Sequence, residues 1–409
     1  MVQTTHLPSA SLQAIVQQTT QVPFYRRADW ATALQRPNLK LQDLPRITKA
    51  ELRQHSPHDL LPAIYDLSTL EKQGLIEEEN TSGTSGASVR VIFGKTWWAE
   101  QELRALQRHP LIAKILRKDP NARRCVLTTP GCNGVSCFAR WLNFEQRILG
   151  TSLFVNQSRI PFTIAEEKMR VMADEVRQWS PVFLDVDPVH GMRFALYCER
   201  NGLKFPSLRF IITSYEYTSV CHRRIMERVF QVPVINLYGS SETGHLLIEQ
   251  ANGTMTASPE TAQLEIFEPN RFGVGQLLVT TQTNPYLPLL RYEIGDYISH
   301  SAEGYQVHGR VRDAVRNAQK EIVTTRQIDQ AFGDLTGIAH YQLRQEANGT
   351  AKLGLMLDNQ SNPSLSKLNM DKLGVRLQTL LGAQIDISLI DLIAPEDSGK
   401  FRLTVPASL

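Results

Sequence analysis

Short apolar runs alternate with helix-periodic stretches through the middle of this chain. Cys125 to Thr128, Leu153 to Val155, Val182 to Val186, Leu208 to Thr213 and Val232 to Asn236 read as buried strands. A helical stretch runs from Trp97 to Arg117 behind Thr96, and Pro110 marks where it would break. Ile164, Met169, Met172, Val176 and Trp179 fall close to one helical face, and further helices are expected over Val189 to Arg200 and Ser219 to Phe230. Strand and helix in turn predict α/β layering with largely parallel strands.

The pattern changes after about Ala257. Leu264 to Phe267 and Gln276 to Val279 read as strands joined by a turn over Pro269 to Gly275, which favours antiparallel pairing. A third pattern occupies the last hundred or so residues. There Tyr341 to Gln345 and Leu353 to Leu357 flank Asn348-Gly349, a hairpin signal, and a helix over Lys367 to Leu381 precedes a strand at Ile385 to Leu389. Asn359 to Ser366 reads as a polar loop. The expected fold is α/β: a large N-terminal domain of layered sheets and helices with a β-rich subdomain, then a small C-terminal α+β domain.

Composition narrows the class. The 409 residues can build more than one core, and 42% hydrophobic with 21% charged residues describes an ordinary globular chain. A formal net charge of +3 gives no bulk electrostatic case for a nucleic-acid partner. The five cysteines form no Cys-x-x-Cys pair, and their odd number in a long chain makes a disulfide framework unexpected. No export signal or membrane-spanning run is evident, and the cytoplasm is the expected location.

Four polar clusters interrupt these elements. Thr81-Ser82-Gly83-Thr84-Ser85-Gly86 gathers hydroxyls and glycines, a composition that exposes backbone N–H groups to phosphate oxygens or makes a solvated turn. No Gly-Lys-Ser or Gly-Lys-Thr follows it, so it is not the usual P-loop. The others are Tyr238-Gly239-Ser240-Ser241-Glu242-Thr-Gly244, Arg291-Tyr-Glu-Ile-Gly-Asp296, and Gly309-Arg310 with Arg312 and Asp313. Open α/β sheets place ligands where such segments leave the strands.

Order and content together resemble the adenylate-forming enzymes, and within them the phenylacetate–coenzyme A ligase family with its capsule-biosynthesis-like branch. The resemblance runs from Val22-Pro-Phe-Tyr-Arg26 and Thr48-Lys49 through Tyr215-Glu216, Tyr238 to Glu242 and Pro288 to Tyr292, to Gly399-Lys400. It implies a large ATP- and acid-binding domain over residues 1–311 and a small mobile domain over 312–409, with the hinge at Arg312. It also implies that a carboxylate attacks the α-phosphorus of ATP, and that a thiol, usually that of coenzyme A, captures the acyl-adenylate.

Roles follow from the resemblance. The loop Thr81 to Gly86 would wrap the β- and γ-phosphates, although Ala87 and Ser88 stand where relatives often carry lysine; Arg90 would substitute for it or simply be solvated. Glu242 would hold Mg²⁺, the alternative being a carboxylate at the start of a helix. Tyr238 would pack on the adenine, with Tyr215 and Glu216 close to it and Gly239, Ser240 and Ser241 completing the nucleotide segment. Asp296 would accept from both ribose hydroxyls, or serve a Gly-Asp turn. Arg310 would contact ribose or phosphate, or form a surface ion pair. Lys400 would be the catalytic lysine of adenylation, or a solvated residue near the chain end.

Gly131, Cys132, Phe138 and Trp141 occupy the stretch that lines the acyl pocket in relatives, and Arg140 lies among them facing substrate or solvent. Asp187 before Pro188 has the form of a helix N-cap, with substrate selection as its other reading. The implied substrates are ATP, with Mg²⁺, and an aryl or other compact carboxylic acid, with coenzyme A as acceptor. A carrier-protein thiol or an amine would be an alternative acceptor, and an inactive nucleotide-binding homologue is the competing class. A homodimer fits the resemblance. Some relatives carry a cysteine-rich metal site after the Tyr-Gly motif, but only His245 stands there in this chain, so no zinc site is implied.

Overall fold

The computed structural model describes residues 19–80, 89–128, 142–155, 158–359 and 365–407. They fall into two compact units: residues up to Ala113 with Leu237–Val307, and Lys114–Asn236 with His308 onward.

The first unit is mostly antiparallel. Ala262–Phe267, Gly275–Thr281 and Tyr292–Ser301 form a meander, and Gly244–Glu249 pairs with both Leu237–Ser240 and Met255–Ala257. A separate hairpin joins Ile76–Asn80 to Arg90–Gly94, with Asn80 opposite Arg90. The core gathers Phe24, Tyr25 and Trp30 with Leu289 and Tyr292. Tyr25 donates its hydroxyl to the Pro288 carbonyl at 2.8 Å and accepts the Leu290 N–H at 3.1 Å, fixing the entry to the Tyr292 strand. Burial without ionisation suits this phenol, whose pKa is pushed far up by desolvation.

The second unit holds the parallel sheet. Val234–Asn236, Phe210–Thr213, Phe183–Val186, Arg124–Leu127 and Ser152–Phe154 lie side by side in parallel, with Ile148–Leu149 antiparallel at the edge. Helices Glu166–Trp179, Pro188–Arg200 and Val220–Phe230 alternate with these strands. The expected break at Pro110 is present: helices Trp97–Leu106 and Pro110–Lys118 replace one long helix.

A small mixed sheet, Ile385–Leu389, Ala351–Leu357, Ile338–Gln345 and Thr404–Val405, completes this unit. Helix Lys367–Leu381 covers it through Leu373, Leu377 and Leu381. Its hydrophobic centre is built from residues 315–403 together with Cys221. Helix Val220–Phe230 is its seat. Arg224 donates to the carbonyls of Phe332, Gly333 and Leu335, and Arg228 pairs with Asp358 at 3.2 Å. A mobile domain from residue 312 onward remains a proposal about motion.

No helix of the described residues is long and apolar enough to cross a membrane.

Candidate functional site

The Tyr238–Glu242 segment ends a strand instead of following one. The strand Val234–Ser240 runs through Tyr238 and turns back at once into Gly244–Glu249, with Ser240 opposite Gly244. Gly244 makes the turn at φ +74°, and a Cβ at Gly239 would lie 2.1 Å from the Gly244 carbonyl oxygen. Glu242 therefore sits in a strand–turn–strand, and the helix-start reading of this carboxylate does not hold.

Glu242 is only 3% exposed. Tyr292 donates its hydroxyl to Glu242 Oε1 at 3.2 Å, and Lys49 Nζ lies 3.6 Å from the same oxygen. Lys49 is delivered by local chemistry. Thr48 and Glu51 form a reciprocal capping box that starts helix Lys49–His55, and Ile47 bridges in parallel to Tyr292. A buried carboxylate beside an ammonium group and a phenol is a site for charge, and its oxygen donors fit magnesium.

Asp296 is 4% exposed and lies within the strand Tyr292–Ser301, one residue after Gly295 at φ +87°. It belongs to a strand, so the turn reading also fails. Tyr238 donates its hydroxyl to Asp296 Oδ2 at 2.7 Å. Ser240 and Thr243 share a hydroxyl contact at 3.0 Å, while Ser241 donates to Glu79 Oε1 at 2.8 Å. Glu79 lies in the strand that leads into residues 81–88.

Within the second unit, Asp187 does cap its helix. One carboxylate oxygen accepts from Val189 N–H at 2.9 Å and His190 N–H at 3.3 Å, with Pro188 in the first turn. Its carboxyl and that of Glu216 lie close enough to affect each other's ionisation. Burial pushes the Asp187 carboxyl up to about 6, and it pushes Glu216 up as well. The Lys400 ammonium pulls both the other way. Glu216 Oε1 accepts the Phe401 N–H at 2.9 Å, next to Lys400. Gly399, at φ +83°, turns the chain so that Glu396 N–H reaches the Lys400 carbonyl at 2.8 Å.

Tyr215 stands at φ +72°, an uncommon backbone state for a bulky residue. Its hydroxyl reaches Asp185 Oδ2 at 3.4 Å, Ser214 donates to Asp185 Oδ1 at 3.2 Å, and Arg124 lies 3.6 Å away. Arg310 closes the strand Gly304–Arg310 and caps the short turn Val311–Asp313. The expected hinge residue Arg312 pairs with Glu396 at 2.8 Å, while Arg402 pairs with Asp313 at 2.6 Å. The loop that carries Lys400 is thus tied to the hinge segment at two points.

Arg90 pairs with Glu71 at 2.7 Å and Glu78 at 2.6 Å, which commits its guanidinium to carboxylates of its own unit. Thr81 to Gly86, Ala87 and Ser88 lie outside the described residues, as do Gly131, Cys132, Phe138, Arg140 and Trp141. Cys125, Cys198 and Cys221 are buried, and desolvation raises each thiol, that of Cys221 to about 12. Among the described residues no group of three or more His, Cys, Asp or Glu side chains could hold a metal ion. Sequence reading gave no role to Lys49, Tyr292 or Phe401. Thr48-Lys49 counted only as a matched opening segment, and the Thr48–Glu51 capping box signals no more than a helix start.

No family model matches the chain. Protein CapK of Staphylococcus aureus is 26% identical over 170 residues, 39% of this chain and 38% of that protein. Phenylacetate-coenzyme A ligase of Thermus thermophilus is 24% identical over 293 residues, 67% of this chain and 60% of that protein. The matches thus span less than two thirds of either relative's length. Among solved structures, 2-hydroxyisobutyryl-CoA ligase in its postadenylation state, in complex with R3-HIB-AMP, superposes with a TM-score of 0.70 at 15% identity, covering 98% of this chain and 90% of that one.

Proposed function

The fold is that of the adenylate-forming superfamily, and we propose that this chain is an ATP-dependent ligase that activates a carboxylic acid as an acyl-adenylate and passes the acyl group to a thiol. Coenzyme A is the proposed acceptor, and an aryl or other compact acid the proposed substrate. One observation carries the reading. Two segments some fifty residues apart in sequence exchange tyrosine–carboxylate hydrogen bonds: Tyr238 to Asp296, and Tyr292 to Glu242. The exchange orients two buried carboxylates within one unit, which water-exposed side chains could not do.

In this reading Asp296 accepts from the ribose hydroxyls, Tyr238 packs beside the adenine, and the Thr81–Gly86 loop donates to phosphate oxygens. Tyr215, Gly239, Ser240 and Ser241 line the nucleotide, and Arg310 donates its fork of N–H groups to ribose or phosphate. Magnesium, held by Glu242, would offset charge on the phosphates. Lys49 adds a cation at that carboxylate. Lys400 stabilises the charge that develops as carboxylate oxygen meets phosphorus. Gly131, Cys132, Phe138, Trp141 and Asp187 belong to the acid's surroundings.

The test uses purified protein, ATP, magnesium and a panel of carboxylic acids, with exchange of labelled pyrophosphate into ATP as readout. Acid-dependent exchange supports the reading. Adding coenzyme A, a carrier-protein thiol or an amine then shows which nucleophile discharges the adenylate. Tight ATP binding without exchange for any acid would overturn ligase activity in favour of a nucleotide-binding protein.

A further inference from the structure

Between the start of helix Pro188–Arg200 and Lys400 lie two carboxyls, Asp187 and Glu216, that the nucleotide roles leave unused. Asp187 spends one oxygen on the first N–H groups of that helix. Its carboxyl and that of Glu216 lie close enough to affect each other's ionisation. Glu216 then directs Oε1 at the Phe401 N–H, 2.9 Å away. Phe401 is 7% exposed, and its ring packs edge-on against Phe162 and His340 at 5.7 and 5.4 Å. The backbone on the C-terminal side of Lys400 is therefore held by both a hydrogen bond and an aromatic socket.

We propose that Glu216 is the positioning residue of Lys400, acting through the Phe401 N–H. The inference rests on the adenylating role given to Lys400 and departs from an adenine-proximal role for Glu216. The Glu216 bond and the aromatic socket together fix the backbone from which the lysine side chain extends.

Three variants separate this role from direct nucleotide contact. E216Q keeps an acceptor oxygen for Phe401 N–H, so it should behave like the natural protein. E216A removes the acceptor, and E216D keeps the charge but falls one methylene short. Hydrogen–deuterium exchange of a peptide spanning residues 396–403 reads the contact without any substrate. Exchange should accelerate at least tenfold in E216A and E216D and stay at the natural rate in E216Q. With an acid that supports pyrophosphate exchange, kcat should fall by roughly ten- to a hundredfold in E216A and E216D, with the KM for ATP unchanged and recovery in E216Q. Unaltered protection of residues 396–403 in both E216A and E216D overturns the proposal. So does a raised KM for ATP shared by all three variants. Failure of ligase activity in the natural protein would strike the functional reading alone, since the hydrogen-exchange comparison stands without it.

Discussion

Tyr238 donates its hydroxyl to Asp296 across 2.7 Å, and both belong to strands of one unit. The bond engages Oδ2 of Asp296 and orients the plane of the group. If that plane meets the ribose diol, D296A should weaken ATP binding by about ten- to a hundredfold, the scale of a charge-assisted hydrogen bond of about 1.5–3 kcal/mol. Y238F should lower folding stability by about 1 kcal/mol and nucleotide affinity by less than D296A. Titration calorimetry with ATP and urea unfolding check the two statements. Unchanged ATP affinity in D296A would remove Asp296 from the ribose site.

Glu242 makes a separate prediction about metal. Its carboxylate is buried and faces Lys49 and Tyr292. A carboxylate that holds magnesium should make ATP affinity depend on the ion. In the natural protein, chelating magnesium should weaken ATP binding. In E242Q, which keeps the shape but not the charge, the same chelation should change affinity at least tenfold less. Equal dependence on magnesium in both proteins would place the ion elsewhere.

How far these residues could be read in advance depended on whether their geometry is local. The Asn348-Gly349 hairpin, the helix Lys367–Leu381 and the cap at Asp187 follow from neighbours in sequence, and the fold has all three. Glu242 was ambiguous because a Ser-Ser-Glu-Thr run suits a helix start as well as a turn; Gly244 at positive φ decides for the turn. Lys49 reads as the first residue after a capping box, and only the Ile47–Tyr292 bridge brings it to Glu242. The partnership of Glu216 with Phe401 spans 185 residues and leaves no local pattern. The Tyr238–Asp296 pair is equally non-local, yet its two segments carried motifs that could be matched one at a time.

Lys400 should matter to one half-reaction only. K400A should slow adenylation, read as pyrophosphate exchange, by roughly two to three orders of magnitude, the scale for removing one preorganised charge stabiliser. Transfer from a supplied acyl-adenylate to coenzyme A should be largely preserved. An adenylation rate equal to that of the natural protein would remove this lysine from the site.

Two buried histidines give the fold a dependence on pH. His222 Nε2 lies 2.9 Å from His340 Nδ1, and neither His222 Nδ1 nor His340 Nε2 has a hydrogen-bond partner among the described residues. Desolvation lowers His222 to about 3 and His340 well below its ordinary value. A histidine depressed in this way is neutral in the fold but takes up a proton when unfolded. Its stabilisation is complete above the unfolded pKa near 6.5 and is lost progressively as pH falls toward the folded value. Each histidine should forfeit about 2 kcal/mol by about pH 5. The raised carboxyl of Asp187 works in the opposite direction, because its folded-state penalty lifts as pH drops through about 6. Comparison with H222F/H340F isolates the histidines. Urea melts between about pH 7.5 and about pH 5 should show a smaller loss in the double variant, and parallel losses in both would discount the pair.

The small C-terminal sheet and helix Val220–Phe230 meet through Asp329, which accepts from Ser219 Oγ at 2.6 Å, Val220 N–H at 2.9 Å and Tyr341 at 3.0 Å. A carboxylate with three donors at a helix N-terminus is a firm seat, and burial raises its pKa despite them. Rotation of this body between the two half-reactions, as the superfamily resemblance implies, must break the two bonds from Ser219 and Val220, whereas the Tyr341 bond lies within the body itself. The disulfide variant S219C/D329C should hold the body in place when oxidised. Pyrophosphate exchange should then persist while formation of the coenzyme A thioester falls at least tenfold, and reduction should restore it. Because the substitutions also remove native bonds, the reduced double variant is the reference for both rates. Thioester formation at equal rates before and after oxidation, with the cross-link confirmed by mass, would show that acyl transfer proceeds from the seated arrangement and that no rotation about this helix is required.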